Sequence, residues 1–256
     1  MQDPFQAGVE LAGAIAELAR YGLAGEFRGF DPATARVILV QSADRVLPVF
    51  PENLSAVARA SLERLGVEVL LGSKDRHVDE RGIVVNDRRI DAGTTLWAAG
   101  VVASPAAKWI GAEADRAGRI RVLPDLSVPS QPCVFALGDT AVVTDPHGNP
   151  VPGLAPAAKQ GGVHVGRTIH ALVTGGVAPG PFRYRHRGSL ATIGRKAAIA
   201  DFGWLRLTGL PAWWLWGLVH VAFLAGARNR LSVALQWSWA YLTFRRSIRL
   251  ITGQRQ

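Results

Sequence analysis

The stretch "MQDPFQAGVELAGAIAEL" (1–18) decides how the rest of the chain is read. Its second half, "GVELAGAIAEL", places Val9, Leu11, Ala12, Ile15 and Ala16 at helical spacing. Gly8 stands where a tight turn would feed that helix. In a dinucleotide-binding unit the order is strand, glycine-rich turn, helix, which aims backbone N–H groups and the positive helix end at a pyrophosphate. Here the helix and one glycine are present. The earlier glycine positions hold Asp3 and Phe5, and no apolar strand precedes them.

Outward from this helix the patterns alternate. "ARVILV" (35–40) is a strand-like run, "ENLSAVARASLERLG" (52–66) has helical periodicity ending at Gly66, and "VEVLLG" (67–72) is the next strand. "GIVVNDRRI" (82–90) predicts a hairpin turning at Asn86 and Asp87, and "TTLWAAG" (94–100) a buried strand. Further on, "GRIRV" (118–122) and "CVFALGD" (133–139) predict strands, and 153–175 a helix after a proline-rich turn. Residues 189–202 mix short strands with a glycine turn. The order predicts an α/β fold with a largely parallel sheet.

Composition narrows the class. The chain has 256 residues, 48% hydrophobic and 19% charged, with a formal charge of +9 that favours anionic partners. Cys133 is the single cysteine, so neither an intramolecular disulfide nor a redox-active cysteine pair is possible. The histidines at 77, 147, 164, 170, 186 and 220 lack paired metal-ligand spacing, and no metal is expected. Lysines and arginines are interspersed without an aromatic RNA-binding signature, and nucleic acid is not an expected partner. No basic region followed by an apolar core marks a signal peptide at the N-terminus.

The most informative segment is "VFALGD" (134–139), an apolar run ending in Gly-Asp at the C-terminal edge of a strand, where ligands bind in open α/β sheets. A carboxylate there accepts hydrogen bonds from ribose or ribityl hydroxyls. Together with "GVELAGAIAEL", "RVLPVFPE" (45–52), "LWAAGV" (96–101), "VFALGDTA" (134–141) and "PVPGLAPAAKQ" (150–160), it makes the chain resemble the C-terminal part of a type II NADH dehydrogenase. That family is one of single-subunit flavoproteins with two dinucleotide-binding domains that reduce quinone. The missing cysteine pair separates the chain from the disulfide reductases of the same superfamily.

The resemblance implies an incomplete two-dinucleotide-binding-domain flavoprotein, a Rossmann-like parallel sheet with a β-hairpin insert. Residues 1–103 are expected to form the NAD(P)H-binding domain, entered inside its fingerprint, and 104–202 the C-terminal part of the FAD-binding domain. The FAD fingerprint is not in the sequence, so a truncated or misassigned reading frame is the expectation. Gly8 matches the last glycine of the second fingerprint, and Glu10 its acidic residue, which in the family lies near the nicotinamide. Gly138 and Asp139 are expected at the ribityl or phosphate part of FAD, with Ala99 and Gly100 as further cofactor contacts. The family's quinone-side motif corresponds to Ala155, Pro156, Ala157, Ala158, Lys159 and Gln160. Pro156 replaces its first glutamine, while Gln160 remains. Free N–H groups at that helix start are expected to stabilise a reduced anionic flavin. Lys196 lies in a segment that in the family approaches the flavin; a solvated turn lysine is the other reading. Gln41 stands where NADH-specific sites place an acid on the ribose, so NADH is the expected donor with NADPH open.

Five of the eight tryptophans lie between 213 and 239. The apolar segment 207–227 is long enough to span a bilayer, but Gly209, Pro211, Gly217 and Gly226 interrupt it. Two interfacial amphipathic helices rich in Trp and Arg, in a membrane-attachment region over 203–256 that runs into "RRSIRL" (245–250), are the expected arrangement. The expected function is an FAD-dependent NADH:quinone oxidoreductase, peripheral on the cytoplasmic face of the inner membrane. Its expected partners are quinone, membrane lipid and a second copy of the chain. The alternative is a non-catalytic membrane-associated fragment that pairs with another chain.

Overall fold

A computed structural model describes residues 4–73, 75–129 and 131–243; the basic stretch at 245–250 lies outside the described residues. Helix α1 (Pro4–Glu17) carries four alanines and two glutamates, residues that lose little freedom in a helix. It buries Val9, Ala12 and Ala16 along one face. Gly8 lies inside this helix, not in a turn before it, because the helix already begins at Pro4. Strand β1 (Val37–Val40), helix α2 (Glu52–Arg64) and strand β2 (Val67–Leu70) follow. The two strands pair in parallel from Val37↔Val67 to Val40↔Leu70, with α2 as the crossover. Leu54, Ala58 and Leu62 form the buried stripe of α2.

Strands β3 (Asp75–Asp79), β4 (Gly82–Val85) and β5 (Arg88–Asp91) make an antiparallel meander. Asn86 (φ 47°) and Asp87 (φ 64°) form the predicted two-residue turn, in the left-handed region such hairpins require. Arg89 bridges Asp79 and Asp91 at 2.8 and 2.9 Å and holds the Asp79 carboxyl far below the usual range.

The buried strand expected at 94–100 is absent: this stretch is irregular, with Leu96 56% and Trp97 67% exposed. A parallel strand is buried only when neighbours complete its ladder and helices cover its faces. Among the described residues β1 and β2 pair only with each other.

Helix α3 (Ala106–Trp109), strands β6 (Ile120–Arg121), β7 (Ser127–Val128), β8 (Gln131–Phe135) and β9 (Ala141–Val142), and helix α4 (Ala155–Thr174) come next. β6 pairs with β9 in parallel, and β7 with β8 antiparallel. The predicted strand at 133–139 ends at Phe135, and Gly138–Thr140 turns as a single 3₁₀ loop. Helix α4 ends on Gly175, whose φ of 67° closes it in the left-handed conformation. Its Val165 packs with Leu126 and Phe182, and the His164 ring meets Phe182 edge-on at 5.4 Å. Desolvation holds His164 below its ordinary pKa, and Asp125 opposes this only partly. The unfolded chain therefore binds the proton more readily, so stability is lost as pH falls through the ordinary histidine range. Urea titrations between about pH 7 and pH 5 should show this loss, and His164→Phe should reduce it.

Strands β10 (Ser189–Gly194), β11 (Ala197–Asp201) and β12 (Arg206–Thr208) form a second antiparallel meander, followed by α5 (Gly209–Phe223) and α6 (Ala227–Thr243). The chain divides into two compact units, Ala98–Arg187 and Phe5–Trp97 with the segment from Gly188. The resemblance groups 189–202 with the FAD-binding portion. In the structure these strands pack on α1 and α2 instead, because Ala191, Ile193 and Ile199 join Val9, Ala12, Leu54 and Leu62 in one core. Successive β11 residues face opposite ways. Ile199 enters that core, while Ala198 and Ala200 meet Ala212 of α5 on the other face.

No helix among the described residues is long and apolar enough to cross a membrane. The 15 residues of α5 stop at Leu224, whose backbone is extended. That length corresponds to about 22 Å, against about 30 Å for a hydrocarbon core.

Candidate functional site

In the unit Ala98–Arg187 the expected flavin-side residues meet where β8 ends. Leu137 is extended, and Gly138 reverses the chain at φ 67°. A Cβ on Gly138 would stand 3.3 Å from the Ala158 Cβ, a tight contact, and its left-handed φ favours glycine where this turn lies against the first turn of α4. Leu137, Gly138, Asp139, Leu154, Ala157 and Phe182 line one crevice. Asp139 is exposed, and its carboxylate makes no hydrogen bond or ion pair among the described residues.

The start of α4 offers fewer donors than the sequence implied. Pro156 has no N–H, and the amides of Ala157 and Ala158 are donated to the Leu154 carbonyl at 2.9 and 3.0 Å. The Ala155 amide is the one left without a partner among the described residues. Gln160, one turn on, is engaged at both ends. Its Nε2 donates to the Arg185 carbonyl and its Oε1 accepts from the Arg185 N–H, each at 3.0 Å. Ala99 and Gly100 lie in irregular chain in the same unit and do not line the crevice. Arg119, whose local pattern marks only a strand, does line it. Its guanidinium is oriented by Asp115 at 2.6 Å, and the basic residue after Gly118 was the available signal.

The other unit holds the remaining expected residues, at separate places. Glu10 faces β10: its Oε1 accepts from the Thr192 N–H at 3.2 Å and from Gln6 Nε2 at 3.1 Å. Gln6 in turn donates to the Leu190 carbonyl at 2.9 Å. Two turns along, Glu17 accepts from the Arg195 N–H at 3.0 Å. Between them lies Gly13, where a Cβ would come 1.7 Å from the Ile193 carbonyl oxygen. Helix α1 is thus laid with its backbone against β10.

Lys196 occupies the β10–β11 turn at φ 65°, with Nζ 5.8 Å from the centre of the Tyr241 ring on α6. Gln41 ends β1 and is only 4% exposed, because its Nε2 turns inward to the Arg45 carbonyl at 2.6 Å. It closes the 41–50 loop, in which the buried Leu47 sits at φ 50° and its carbonyl accepts from Ser55 Oγ. A bulky residue held in that region stores strain, which clusters at the ligand-binding ends of strands. "RVLPVFPE" carried that signal as a pattern but not as a conformation.

Comparison with known proteins accounts for this combination. Residues 7–162 match the family model described as pyridine nucleotide-disulphide oxidoreductase, and 186–246 match the NDH2 C-terminal domain. The chain is 42% identical to the type II NADH:quinone oxidoreductase Ndh of Mycobacterium tuberculosis, over 96% of this chain and 55% of that one. It is 26% identical to the mitochondrial internal alternative NAD(P)H-ubiquinone oxidoreductase A1 of Arabidopsis thaliana, over 90% of this chain and 48% of that one. The structure of NDH2 from Plasmodium falciparum in complex with NADH shares the fold, with a TM-score of 0.82 at 15% identity. It is matched over 95% of this chain and 65% of that one. The chain belongs to the pyridine nucleotide-disulphide oxidoreductase family, and within it to the type II NADH dehydrogenases. It spans about half the length of the curated relatives it matches.

Proposed function

We propose that this chain carries the NADH-binding portion, the closing part of the FAD-binding portion and the membrane attachment of an NADH:quinone oxidoreductase. The observation that supports it best is Asp139, an unengaged carboxylate beside the left-handed Gly138, in the crevice between the end of β8 and the start of α4. The donor set suits FAD. A carboxylate accepts from ribityl or ribose hydroxyls, and the Ala155 amide and Arg119 supply positive potential for an anionic group. Bound FAD would accept a hydride from NADH and deliver two electrons to quinone.

The protein's part is to bind and orient. Gln160 positions the 182–187 segment beside α4 by holding both backbone groups of Arg185. Glu10 keeps α1 on β10, and Lys196 brings a positive charge to the β10–β11 turn. Gln41 leaves the end of β1 without the carboxylate that would repel a 2′-phosphate. NADH is the proposed donor, after the names of the relatives, and NADPH is not excluded by charge. The proposed location is the cytoplasmic face of the inner membrane, held peripherally by α5 and α6, and the proposed assembly is a homodimer.

FAD titrated into the purified chain tests the reading directly. Asp139→Ala should weaken binding by roughly tenfold to a hundredfold, the worth of a hydrogen bond to a charged group. Equal affinity in parent and variant would remove Asp139 from the flavin site.

A further inference from the structure

The segment "FRYRHR" (182–187) places three arginines at alternate positions, and the structure holds them there. Phe182 is buried at one end and its N–H bonds to the Pro124 carbonyl at 2.8 Å. Gln160 fixes both backbone groups of Arg185, as a neighbouring strand would. Tyr184 and His186 lie on one side, joined by a 3.2 Å contact between the tyrosine hydroxyl and Nδ1 and by edge-on rings. Arg183, Arg185 and Arg187 are all exposed, and none makes an ion pair among the described residues.

We propose that these three arginines form an electrostatic contact with the phosphates of an anionic lipid surface. Four residues of chain span at most about 13 Å, so the charges are spread over a short exposed stretch. Such a row matches many small, separate anions better than one chelated ligand. Its position along the chain supports the same partner. Arg187 stands two residues before β10, and β10–β11 is the sheet on which α5 packs through Ala212. Trp204, just after β11, is 85% exposed. This inference rests on the proposed membrane attachment but adds a separate component: the tryptophan-bearing helices bind any bilayer, whereas the arginines select an anionic one.

Co-sedimentation of the 256-residue chain with two kinds of vesicle separates the components. Phosphatidylcholine alone measures the attachment, and phosphatidylcholine mixed with phosphatidylglycerol adds the anionic preference. Each arginine near an anionic leaflet is worth about fivefold in partitioning, so three give roughly a hundredfold. The triple variant Arg183→Gln, Arg185→Gln, Arg187→Gln should lose most of that preference and bind neutral vesicles as the parent does. Because Gln160 grips the Arg185 backbone, the segment should keep its place, and lysine at all three positions should restore the preference. High salt should abolish the preference in the parent alone. A glutamine variant that keeps the full preference, or a parent that shows none, overturns the proposal. Failure of the parent to bind either vesicle would instead refute membrane attachment itself. Binding to an acidic protein without vesicle preference would assign the row to a protein partner.

Discussion

Gly13→Ala should destabilise the unit containing α1 by about 2–4 kcal/mol, although alanine is the better helix former by about 1 kcal/mol. The reversal follows from the approach of α1 to β10. The new methyl would stand 1.7 Å from the Ile193 carbonyl oxygen, a backbone atom that cannot swing aside. Relief comes only by lifting the helix off the strand, which breaks the Glu10–Thr192 and Glu17–Arg195 hydrogen bonds, worth about 1 kcal/mol each. It also opens the packing of Val9, Ala12 and Ala16 on Ala191 and Ile193. Gly166→Ala on α4 is the matched control, because nothing lies within 4 Å of its added Cβ. That variant should gain about 0.5–1 kcal/mol. Urea unfolding of both reads the contrast. A Gly13→Ala chain as stable as the parent would mean that α1 does not lie on β10 in this way.

The second large effect concerns the tryptophan-bearing end proposed to attach the chain to a membrane. Trp204, Trp214 and Trp239 are 85%, 53% and 67% exposed, and an indole gains most at the boundary between water and hydrocarbon. A half-inserted ring contributes about 2 kcal/mol by buried area, so three contribute about 6 kcal/mol, or about four powers of ten in partitioning. Replacing all three with serine should leave the chain in the supernatant of a phosphatidylcholine sedimentation assay. Substitution is a cleaner test than deleting 204–256, because α5 covers Ala198 and Ala200 and its loss would bare that face of the sheet. A serine variant that still sediments would place the attachment surface elsewhere.

What the sequence made legible was governed by local rules. The βαβ unit from 37 to 70 followed from a continuous apolar run, a 3.6-residue period and a closing Gly66. The Asn86–Asp87 turn and the Gly138–Asp139 loop declared themselves through residues that tolerate left-handed backbone. The failures were nonlocal. "TTLWAAG" has the pattern of a buried strand, yet burial needs a partner, and its own residues do not reveal whether one is present. Gln41 looked like a strand-end polar group open to a ligand, and only the loop's fold shows its amide committed to Arg45. Gly13 gave no signal beyond being one more small residue in a small-residue helix. Nor does the local pattern of β10 and β11 show that their alternate faces belong to two different packing layers.

Arg195 makes the outermost helix and the inner sheet one thermodynamic system. Its N–H is held by Glu17, its Nη2 donates to the Tyr241 carbonyl at 2.8 Å, and its guanidinium lies 4.9 Å from the centre of the Tyr241 ring. Any bilayer that immobilises α6 therefore lowers the entropy of the β10–β11 turn that carries Lys196. By reciprocity, whatever stiffens that turn raises the affinity of α6 for lipid by the same factor. The chain free in solution and the chain with α6 immobilised then hold two differently ordered versions of one turn, with Arg195 as the residue through which the two states communicate.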